Sequence, residues 1–583
     1  MDFFYKKNSK SLKGDKIVGV EDIQNYIPLY NKFFELNESN YNSINLNNSN
    51  FIDSVEEKIT DNKYSISIKD KNDNIRKNTS FIKFSPLLDP IKYIIDKYDN
   101  SLNIHDLPKL TDNTCHSKML DKNNLSYVDS FFSFLSSTLL HNYNFINGID
   151  FYGSFLGIKE DFIVNIEDEI DILNDNENFH KNKNIKYSIE TSYYEKLFNN
   201  STKKHKHKII LENTDREENE DILNLSDIKD LDCLNEIFKI DQKILNDISR
   251  DDNTNNNIVD VSDPVDNDKK DDASELIYES KFKDMDSSKK HTNSSSSCSS
   301  RSSNTDSNSE SESEDDDDDS ENKSSSESEE ENVLIKINKF PVQLIFLENC
   351  NDTLDNHIVN NKIRDDEWDS IVLQILFILI TYQQVFNFTH NDLHTNNIVY
   401  NNTDKKYIYY KYKDRHYKIP TFGKIYKIID FGRAIYSFKG TCMCSDSFSV
   451  DGDAHTQYNF EPYFNQNKSR LEPNYSFDLS RLGCSIFDFL IDDLDDLKKV
   501  KSPIKKIILE WVKDDKGRNI LYKNNGEERY PDFKLYKMIA RTVHNHIPSR
   551  VLENQHFEKY LIAKKRINTP QQIINIDNIP IMK

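Results

Sequence analysis

The chain has 583 residues, with 99 acidic and 76 basic side chains, and its net charge of −23 is unevenly distributed. Residues 212–332 contain 38 acidic against 13 basic side chains, a net charge of −25, so the other 462 residues carry +2. A chain without a general basic field is not expected to bind duplex nucleic acid as its main partner. Since 36% of the residues are apolar, part of the chain is expected to lie outside a hydrophobic core.

The sequence also lacks the features of membrane and secreted proteins. The longest mainly apolar run, Ile371–Ile380, is about half of a membrane span and favours a buried helix. The N-terminus, M-D-F-F-Y-K-K, has no apolar stretch before a cleavage site, and seven scattered cysteines are typical of reduced thiols. We therefore expect an intracellular protein that is not secreted and does not bind a membrane.

The first part of the chain is predicted to alternate between strands and helices. Apolar residues that alternate with polar ones predict strands, and apolar residues at helical spacing predict helices. The predicted elements are a short docking helix around Tyr26–Phe34, a hairpin of Y-S-I-S-I (64–68) and S-F-I-K-F (80–84) around a turn at Asp70–Asn74, a helix over Leu125–Leu140, a strand over Phe151–Ile158 and a helix over Val164–Leu173.

Residues 212–332 are acidic, rich in Asn, Asp and Ser, and poor in aromatic residues. Such a composition buries too little apolar surface to offset its chain entropy, so the segment is predicted to be disordered. Ordered elements are predicted again from Val333. They are a buried strand at Val342–Leu347, a long helix at Asp366–Asn387, a Tyr-rich hairpin at Tyr407–Ile419, a strand at Ile425–Ile429 and helices between Phe477 and Ser549.

Two motifs indicate chemistry. H-N-D-L-H-T-N-N (390–397) follows the long helix, and I-I-D-F-G (428–432) ends a strand. Phosphoryl transfer from a nucleotide depends mainly on positioning and charge neutralisation. Asp392 is a candidate to accept the proton of an acceptor hydroxyl, while Asn397 and Asp430 offer oxygen ligands for Mg²⁺ on the phosphates. Because both motifs occur in this order, we expect a phosphotransferase that uses ATP and Mg²⁺.

These motifs and the elements around them resemble the eukaryotic-type protein kinase superfamily over about residues 60–545. S-F-I-K-F (80–84) looks like the third strand of that fold, Leu125–Leu140 like its αC helix, and Val342–Leu347 like its fifth strand. The string K-I-I-D-F-G-R-A-I-Y (427–436) is similar to kinases encoded by large DNA viruses. A viral source would place the protein in the host cytoplasm or the virion.

The resemblance implies roles for further residues. Lys83, in the third strand, would hold the α and β phosphates of ATP. Glu348 and Cys350, in the hinge after the fifth strand, would bind adenine through backbone groups. Asp478, at the start of D-L-S-R-L-G (478–483), would brace the segment that carries the catalytic aspartate.

The sequence departs from the family pattern at several positions. No glycine lies between Gly19 and Lys83, so a glycine-rich phosphate loop is not expected. No glutamate lies between Lys83 and Gly148, so the partner of Lys83 is either the shorter acid Asp129 or absent. His394 takes the place of the lysine that contacts the transferred phosphate, and it would be only partly charged at neutral pH.

Three functions are compatible with these features. The first is a Ser/Thr protein kinase that transfers the γ-phosphate of ATP to a protein hydroxyl, and this is the function we expect. The second is a small-molecule kinase, because H-N-D-L-H-T-N-N is close to the H-G-D-L-H-P-G-N form of aminoglycoside and choline kinases. The third is a pseudokinase scaffold whose acidic segment, 212–332, binds basic partners.

The expected fold class is α+β, as a two-lobed kinase-like fold with a small antiparallel sheet and an αC helix in the N-lobe and a mainly helical C-lobe. The expected regions are a polar N-terminal extension at 1–50, an N-lobe at 51–346 that contains the disordered acidic insertion 212–332, a C-lobe at 347–545 with the catalytic segment, and a C-terminal tail at 546–583.

Overall fold

The protein is of the mixed α+β class: its largest sheet is antiparallel and comes mainly from the first half of the chain, while long helices follow later. The computed structural model describes residues 5–7, 12–99, 103–111, 114–198, 333–567 and 573–583. The strands are β1 Tyr5–Lys7, β2 Val20–Gln24, β3 Ile44–Leu46, β4 Asn50–Lys58, β5 Lys63–Asp70, β6 Ile75–Pro86, β7 Phe151–Asn165, β8 Tyr187–Ile189, β9 Leu334–Glu348, β10 Asp352–Thr353, β11 Ile398–Asn402, β12 Tyr407–Tyr412, β13 Arg415–Pro420, β14 Lys424–Ile428, β15 Ile435–Phe438, β16 Thr441–Cys444 and β17 Ile573–Asn575.

The helices lie beside the largest sheet and in the second half of the chain. They are α1 Asp15–Val18, α2 Pro90–Ile94, α3 Ser117–Leu120, α4 Leu125–Tyr143, α5 Ile170–Asn174, α6 Glu177–Asn182, α7 Thr191–Phe198, α8 Leu354–Asn360, α9 Asp365–Phe386, α10 Phe477–Leu490, α11 Pro503–Glu510, α12 Lys534–Thr542 and α13 Pro548–Val551. Short 3₁₀ turns connect several of them, including Pro28–Lys32 and Thr395–Asn397.

The largest sheet has the strand order β2-β7-β9-β6-β5-β4, and β8 also pairs with β9. Strand β6 pairs with β9 in a register that places Lys83 opposite Ile345 and Ser80 opposite Glu348. Two smaller sheets, β10-β11-β14 and β13-β12-β17, follow in the second half. Strand β11 lies antiparallel to β14 with Ile398 opposite Ile428, so the chain just before β11 and the chain just after β14 are neighbours.

Helices α4 and α9 form the centre of the hydrophobic core. Asn124 caps α4 by accepting a hydrogen bond from the Ser126 N–H at 3.0 Å, and most of the helix is buried. Three acidic residues in the first turn of α9 interact favourably with its N-terminal dipole. Helix α9 is long and apolar enough to cross a membrane, but nearly all of its apolar stretch is buried by residues of this chain.

Most of the predicted elements are confirmed. The hairpin of β5 and β6, helices α4 and α9, and the Tyr-rich hairpin of β12 and β13 occur within a few residues of the predicted bounds. The stretch around Tyr26–Phe34 contains only the 3₁₀ turn Pro28–Lys32. The region Phe477–Ser549 is helical in part, with a non-helical stretch between α11 and α12.

The predicted helix at Val164–Leu173 is wrong in its first half. Strand β7 continues to Asn165, because its residues pair with β9 as far as Leu334, and α5 begins only at Ile170. The β-sheet hydrogen bonds therefore outweigh the local helical spacing.

The polar first 50 residues contribute to the sheet. Strand β2 pairs with β7 through Val20 opposite Lys159, and Phe33 stacks on Phe131 of α4 with ring centroids 4.9 Å apart.

The predicted disorder of 212–332 lies outside the described residues. Strands β7 and β9, on either side of that segment, are neighbours in one sheet, so the segment is an insertion between paired strands.

Candidate active site

The two sequence motifs lie side by side because of the pairing of β11 with β14. The segment 390–397 leads into β11, and Asp430 follows β14 by two residues. The Ile429 N–H donates to the Asn397 carbonyl oxygen at 3.0 Å, and His390 Nε2 donates to the Ile429 carbonyl at 2.9 Å. The structure thus joins the two motifs through backbone as well as side-chain hydrogen bonds.

Lys83 of β6 is held by two carboxylates from different elements. Its Nζ lies 2.8 Å from Oδ2 of Asp129 on α4 and 2.7 Å from Oδ1 of Asp430. The other oxygen of Asp129 accepts a hydrogen bond from the Phe431 N–H at 2.9 Å. Asp129 therefore connects the sheet, helix α4 and the segment after β14, as expected of the shorter acid proposed as the partner of Lys83.

The charges of this cluster depend on one another. Burial alone would lower the pKa of Lys83, but Asp129 and Asp430 raise it above its usual range, so the amine is charged. Burial raises the pKa of Asp129, whereas the charge of Lys83 lowers the pKa of Asp430 against the effect of burial. Asp430 is the more exposed of the two carboxylates, with 22% of its side chain accessible against 2% for Asp129. It is thus the carboxylate that a bound cation can reach.

Asp392 lies in a buried polar cluster on the other motif. Its Oδ1 accepts a hydrogen bond from the Tyr536 hydroxyl of α12 at 2.7 Å, and its Oδ2 lies 3.5 Å from Nη1 of Arg433. The Tyr536 hydroxyl in turn accepts a hydrogen bond from Nε of Arg481 on α10 at 2.9 Å. Arg433 also forms an ion pair with Asp453.

Asp478 braces the segment that carries Asp392. It is fully buried at the start of α10, and its carboxylate accepts hydrogen bonds from the His390 N–H at 2.9 and 3.0 Å and from the Asn391 N–H at 2.9 Å. Asn391 has a φ of +63°, a left-handed conformation that Asn tolerates better than most residues. The role that the resemblance implies for Asp478 therefore agrees with its contacts.

Asn397 and His394 contact each other within this segment. The Asn397 Nδ2 group donates to the Asp392 carbonyl oxygen at 3.0 Å and to Nε2 of His394 at 3.1 Å. Both of these bonds use the nitrogen, so neither of them occupies the side-chain carbonyl oxygen of Asn397. Burial lowers the pKa of His394 to about 4, so its ring is neutral at pH 7. The partial positive charge expected of His394 is therefore absent at neutral pH, and the buried cations near Asp392 are Arg433 and Arg481 instead.

Aromatic rings hold the D-F-G segment against α4. Phe431 is fully buried, with its ring centroid 4.7 Å from that of Phe132 on α4 and 5.8 Å from the His390 ring. A Cβ atom on Gly432 would lie 3.0 Å from the side chain of Leu125 on α4, so a larger residue would require that side chain to shift. Asp430 itself has a φ of +64°, an uncommon conformation that is concentrated at functional sites.

The predicted adenine contacts lie farther along β9. Glu348 is three residues along the strand pairing from Lys83, or about 10 Å at the usual strand rise. Its backbone N–H donates to the Asp150 carbonyl at 3.0 Å, and its carboxylate pairs with Lys427 and accepts from Asn401 at 2.6 Å. Glu348 thus has a structural role, and its backbone N–H is already bonded within the fold.

Cys350 lies between β9 and β10, and its thiol is neutral because burial raises its pKa.

The turn between β4 and β5, at 59–62, contains no glycine. Nothing in the described residues therefore replaces a glycine-rich loop at that turn.

The side chains of the site suit a Mg²⁺ ion whose ligands come partly from the protein and partly from phosphates. Within the described ranges no group of three or more His, Cys, Asp or Glu side chains could hold a metal by itself. Mg²⁺, however, commonly binds one or two protein oxygens and takes its other ligands from phosphates and water. The Asn397 carbonyl and the Asp430 carboxylate supply such a pair.

Sequence reasoning missed three members of the site: Arg433, Arg481 and Tyr536. Arg433 directly follows D-F-G, and Arg481 lies within D-L-S-R-L-G, so both could have been considered as neighbours of the motifs. Tyr536 has no local signal, since it is 144 residues from Asp392.

Comparison with known proteins gives no further assignment, because the chain matches no protein-family model and no curated protein.

Proposed function

We propose that this protein is a Ser/Thr protein kinase that transfers the γ-phosphoryl group of Mg·ATP to a protein hydroxyl. The observation that carries the proposal is the double ion pair of Lys83 with Asp129 and Asp430. It brings a buried cation next to the more exposed carboxylate of the pair, and the strand pairing places Asn397 beside the same segment. An ion pair that merely stabilised the fold would not require a second motif with an Asp and an Asn next to it.

In this proposal the chain has the two-lobed kinase-like fold. The largest sheet with α4 forms the smaller lobe, the helices from α8 onward form most of the larger lobe, and the site lies where Lys83 meets Asp430. The acidic insertion lies between β7 and β9 of the smaller lobe. The support is the order of the elements along the chain together with the contacts that join them.

Each residue of the site has its own role in the proposed phosphoryl transfer. Lys83 would neutralise the charge of the α and β phosphates, and Asn397 and Asp430 would hold Mg²⁺, which neutralises charge on the transferred group. Asp392 would accept the proton as the acceptor oxygen bonds to the γ-phosphorus and the bond to the ADP oxygen breaks. Asp478 would keep Asp392 in place through the backbone of His390 and Asn391.

A small-molecule kinase is the second candidate, and one observation favours it. The position two residues after Asp392 carries a neutral, buried histidine and not a cation. This agrees with the sequence likeness of the segment 390–397 to the aminoglycoside and choline type. A pseudokinase scaffold is the third candidate, favoured by the absence of glycine between β4 and β5.

The test is a transfer assay with γ-labelled ATP on the full chain. We expect label on Ser or Thr of a generic protein such as casein, or of the protein itself, and we expect chelation of Mg²⁺ to abolish it. ATP consumption that occurs only when an aminoglycoside or an amino alcohol is added would replace the proposal by the second candidate. Stabilisation by Mg·ATP without any transfer would indicate a scaffold.

A further inference from the structure

The side chains around Asp392 contain a hydrogen-bonded chain that runs in one direction. Arg481 Nε donates to the Tyr536 hydroxyl at 2.9 Å, and Tyr536 lies 2.7 Å from Oδ1 of Asp392. A guanidinium has donors and no acceptor, so the Tyr536 oxygen accepts from Arg481. The single proton of the hydroxyl must then be donated to Asp392.

Two cations lie beside the Tyr536 ring. The guanidinium of Arg481 lies 5.1 Å, and that of Arg433 5.7 Å, from the centre of the ring. Both are within the range at which a cation is attracted to an aromatic face. Burial raises the pKa of Tyr536, whereas these two cations act to lower it and so favour donation of the hydroxyl proton to a charged carboxylate.

The site also needs such a donor. Asp392 is 7% exposed, and a carboxylate removed from water stays ionised only when donors or cations face it. The neighbouring His394 uses its Nε2 to accept a hydrogen bond from the Asn397 side chain. The groups that face Asp392 are the Tyr536 hydroxyl, which Arg481 holds, and the Arg433 guanidinium at 3.5 Å.

We propose that Tyr536 is a positioning residue for phosphoryl transfer: its hydroxyl, held by Arg481, orients the Asp392 carboxylate toward the acceptor hydroxyl. This inference rests on the proposed kinase function. A carboxylate oxygen accepts more than one hydrogen bond, so Tyr536 fixes Asp392 without excluding the acceptor.

The Tyr536 ring has a separate, structural role that must be kept constant in a test. It stacks on Phe533 with centroids 5.1 Å apart and packs near Phe477, and the side chain is buried. Removing the whole side chain would damage the core between α10 and α12. Tyr536→Phe removes the hydroxyl alone.

The experiment measures kcat and KM for ATP with the full chain carrying Tyr536→Phe. We expect kcat to fall by about 10-fold or more, since a hydrogen bond to a charged group is lost, while KM for ATP stays within about twofold because Lys83 and Asp430 are untouched. The matched control is Tyr522→Phe, which removes a hydroxyl that donates to the Asp488 carboxylate at 2.9 Å, away from Asp392. The control should keep the kcat of the wild type.

A double-mutant cycle with Arg481→Met tests the direction of the chain. We expect Arg481→Met to lower kcat several-fold less in the Tyr536→Phe background than in the wild type, since Arg481 acts through the hydroxyl. Independent effects would overturn the coupling.

An unchanged kcat in Tyr536→Phe would overturn the inference but leave the kinase proposal intact. A raised kcat would also overturn it, because Tyr536 would then be blocking the acceptor. A wild-type protein with no transfer activity would instead overturn the kinase proposal and this inference with it.

Discussion

On one side of the candidate site Lys83 is held between Asp129 and Asp430, and on the other side Asp392 is held by Tyr536 with Arg481 and Arg433 nearby. The first side is a direct ion pair in which opposite charges neutralise each other. The second is a chain in which positive charge reaches the carboxylate partly through a neutral hydroxyl. The site thus holds its charged groups in two different ways, one for the group proposed to contact phosphate and one for the group proposed to take up a proton.

The direct ion pair and the hydrogen-bonded chain suit the different roles that we propose for Lys83 and Asp392. A lysine that neutralises phosphate must stay charged, and two carboxylates ensure this. A carboxylate that accepts a proton must stay ionised yet remain basic, so a direct ion pair with a lysine would weaken it as a base. A tyrosine hydroxyl orients one oxygen of such a group without adding charge, while Arg433 lies 3.5 Å from the other oxygen.

The largest combined effect on transfer and stability is expected from breaking the lysine side. Lys83→Ala should lower transfer by at least about 100-fold, because phosphate loses its cation. It should also lower the free energy of unfolding by about 3 kcal/mol, because Asp129 and Asp430 would face each other without a partner. Transfer assays and urea unfolding measure the two effects.

The matched control for this variant is Lys69→Ala on the neighbouring strand β5, where the lysine pairs with Asp73 at 3.0 Å in an exposed turn. It should change neither quantity appreciably, because exposed pairs contribute little. A fully active Lys83→Ala protein would contradict the site assignment.

A smaller effect is expected for Asp129→Asn. The amide can still accept the hydrogen bond of the Phe431 N–H, but it cannot neutralise Lys83, which would then swing toward Asp430. We expect transfer to fall by about 10- to 100-fold through misplacement of the lysine. Transfer rates at varied ATP concentrations would measure this loss of activity. The matched control is Asp171→Asn, on the exposed face of α5. Equal activity of both variants would mean that Asp129 is only structural.

The smallest effect is expected where the segment after β16 supports helix α4. Asp446 accepts the Leu125 N–H at 2.9 Å and pairs with Lys118, and its side chain is 6% exposed. Asp446→Ala should lower the free energy of unfolding by about 1–2 kcal/mol, because the Leu125 N–H loses its acceptor. Asp446→Asn, which keeps an acceptor, should cost less, and thermal or urea unfolding would show the difference.

The pH dependence of Asp446 sharpens that comparison. Burial raises the pKa of Asp446, so the native state binds this proton more tightly than the unfolded state does. The stability that the protonated group contributes is present below about pH 3.9 and is lost as pH rises through the raised pKa. The wild type should therefore lose stability relative to Asp446→Asn between pH 4 and pH 7. A gain in stability of the wild type relative to that variant would contradict a raised pKa of Asp446.

The sequence predicted the lysine side of the site better than the other side, for physical reasons. Strands, long helices and their apolar spacing are local patterns, so β6, α4 and α9 could be placed. Asp129 could be proposed because no glutamate follows Lys83 before Gly148. The continuation of β7 beyond Ile158 could not be predicted, since its last residues are ordered by pairing with β9 across the insertion.

The other side depends on contacts between distant residues. Tyr536 meets Asp392 because α12 packs against α10, and no spacing near Asp392 indicates this. The neutral state of His394 likewise follows from burial, which composition does not reveal. On this side of the site Asp392 was therefore predictable from its motif, and its partners Tyr536, Arg481 and Arg433 were not.

The most direct test of the account separates binding from transfer in Asp392→Asn. Stabilisation of the full chain by Mg·ATP and transfer of labelled phosphate are measured on the same preparations of wild type and variant. Since Lys83, Asn397 and Asp430 remain in place, we predict that the variant keeps the Mg·ATP-dependent rise in melting temperature while transfer falls by about 1,000-fold. Equal transfer by wild type and Asp392→Asn would contradict the account.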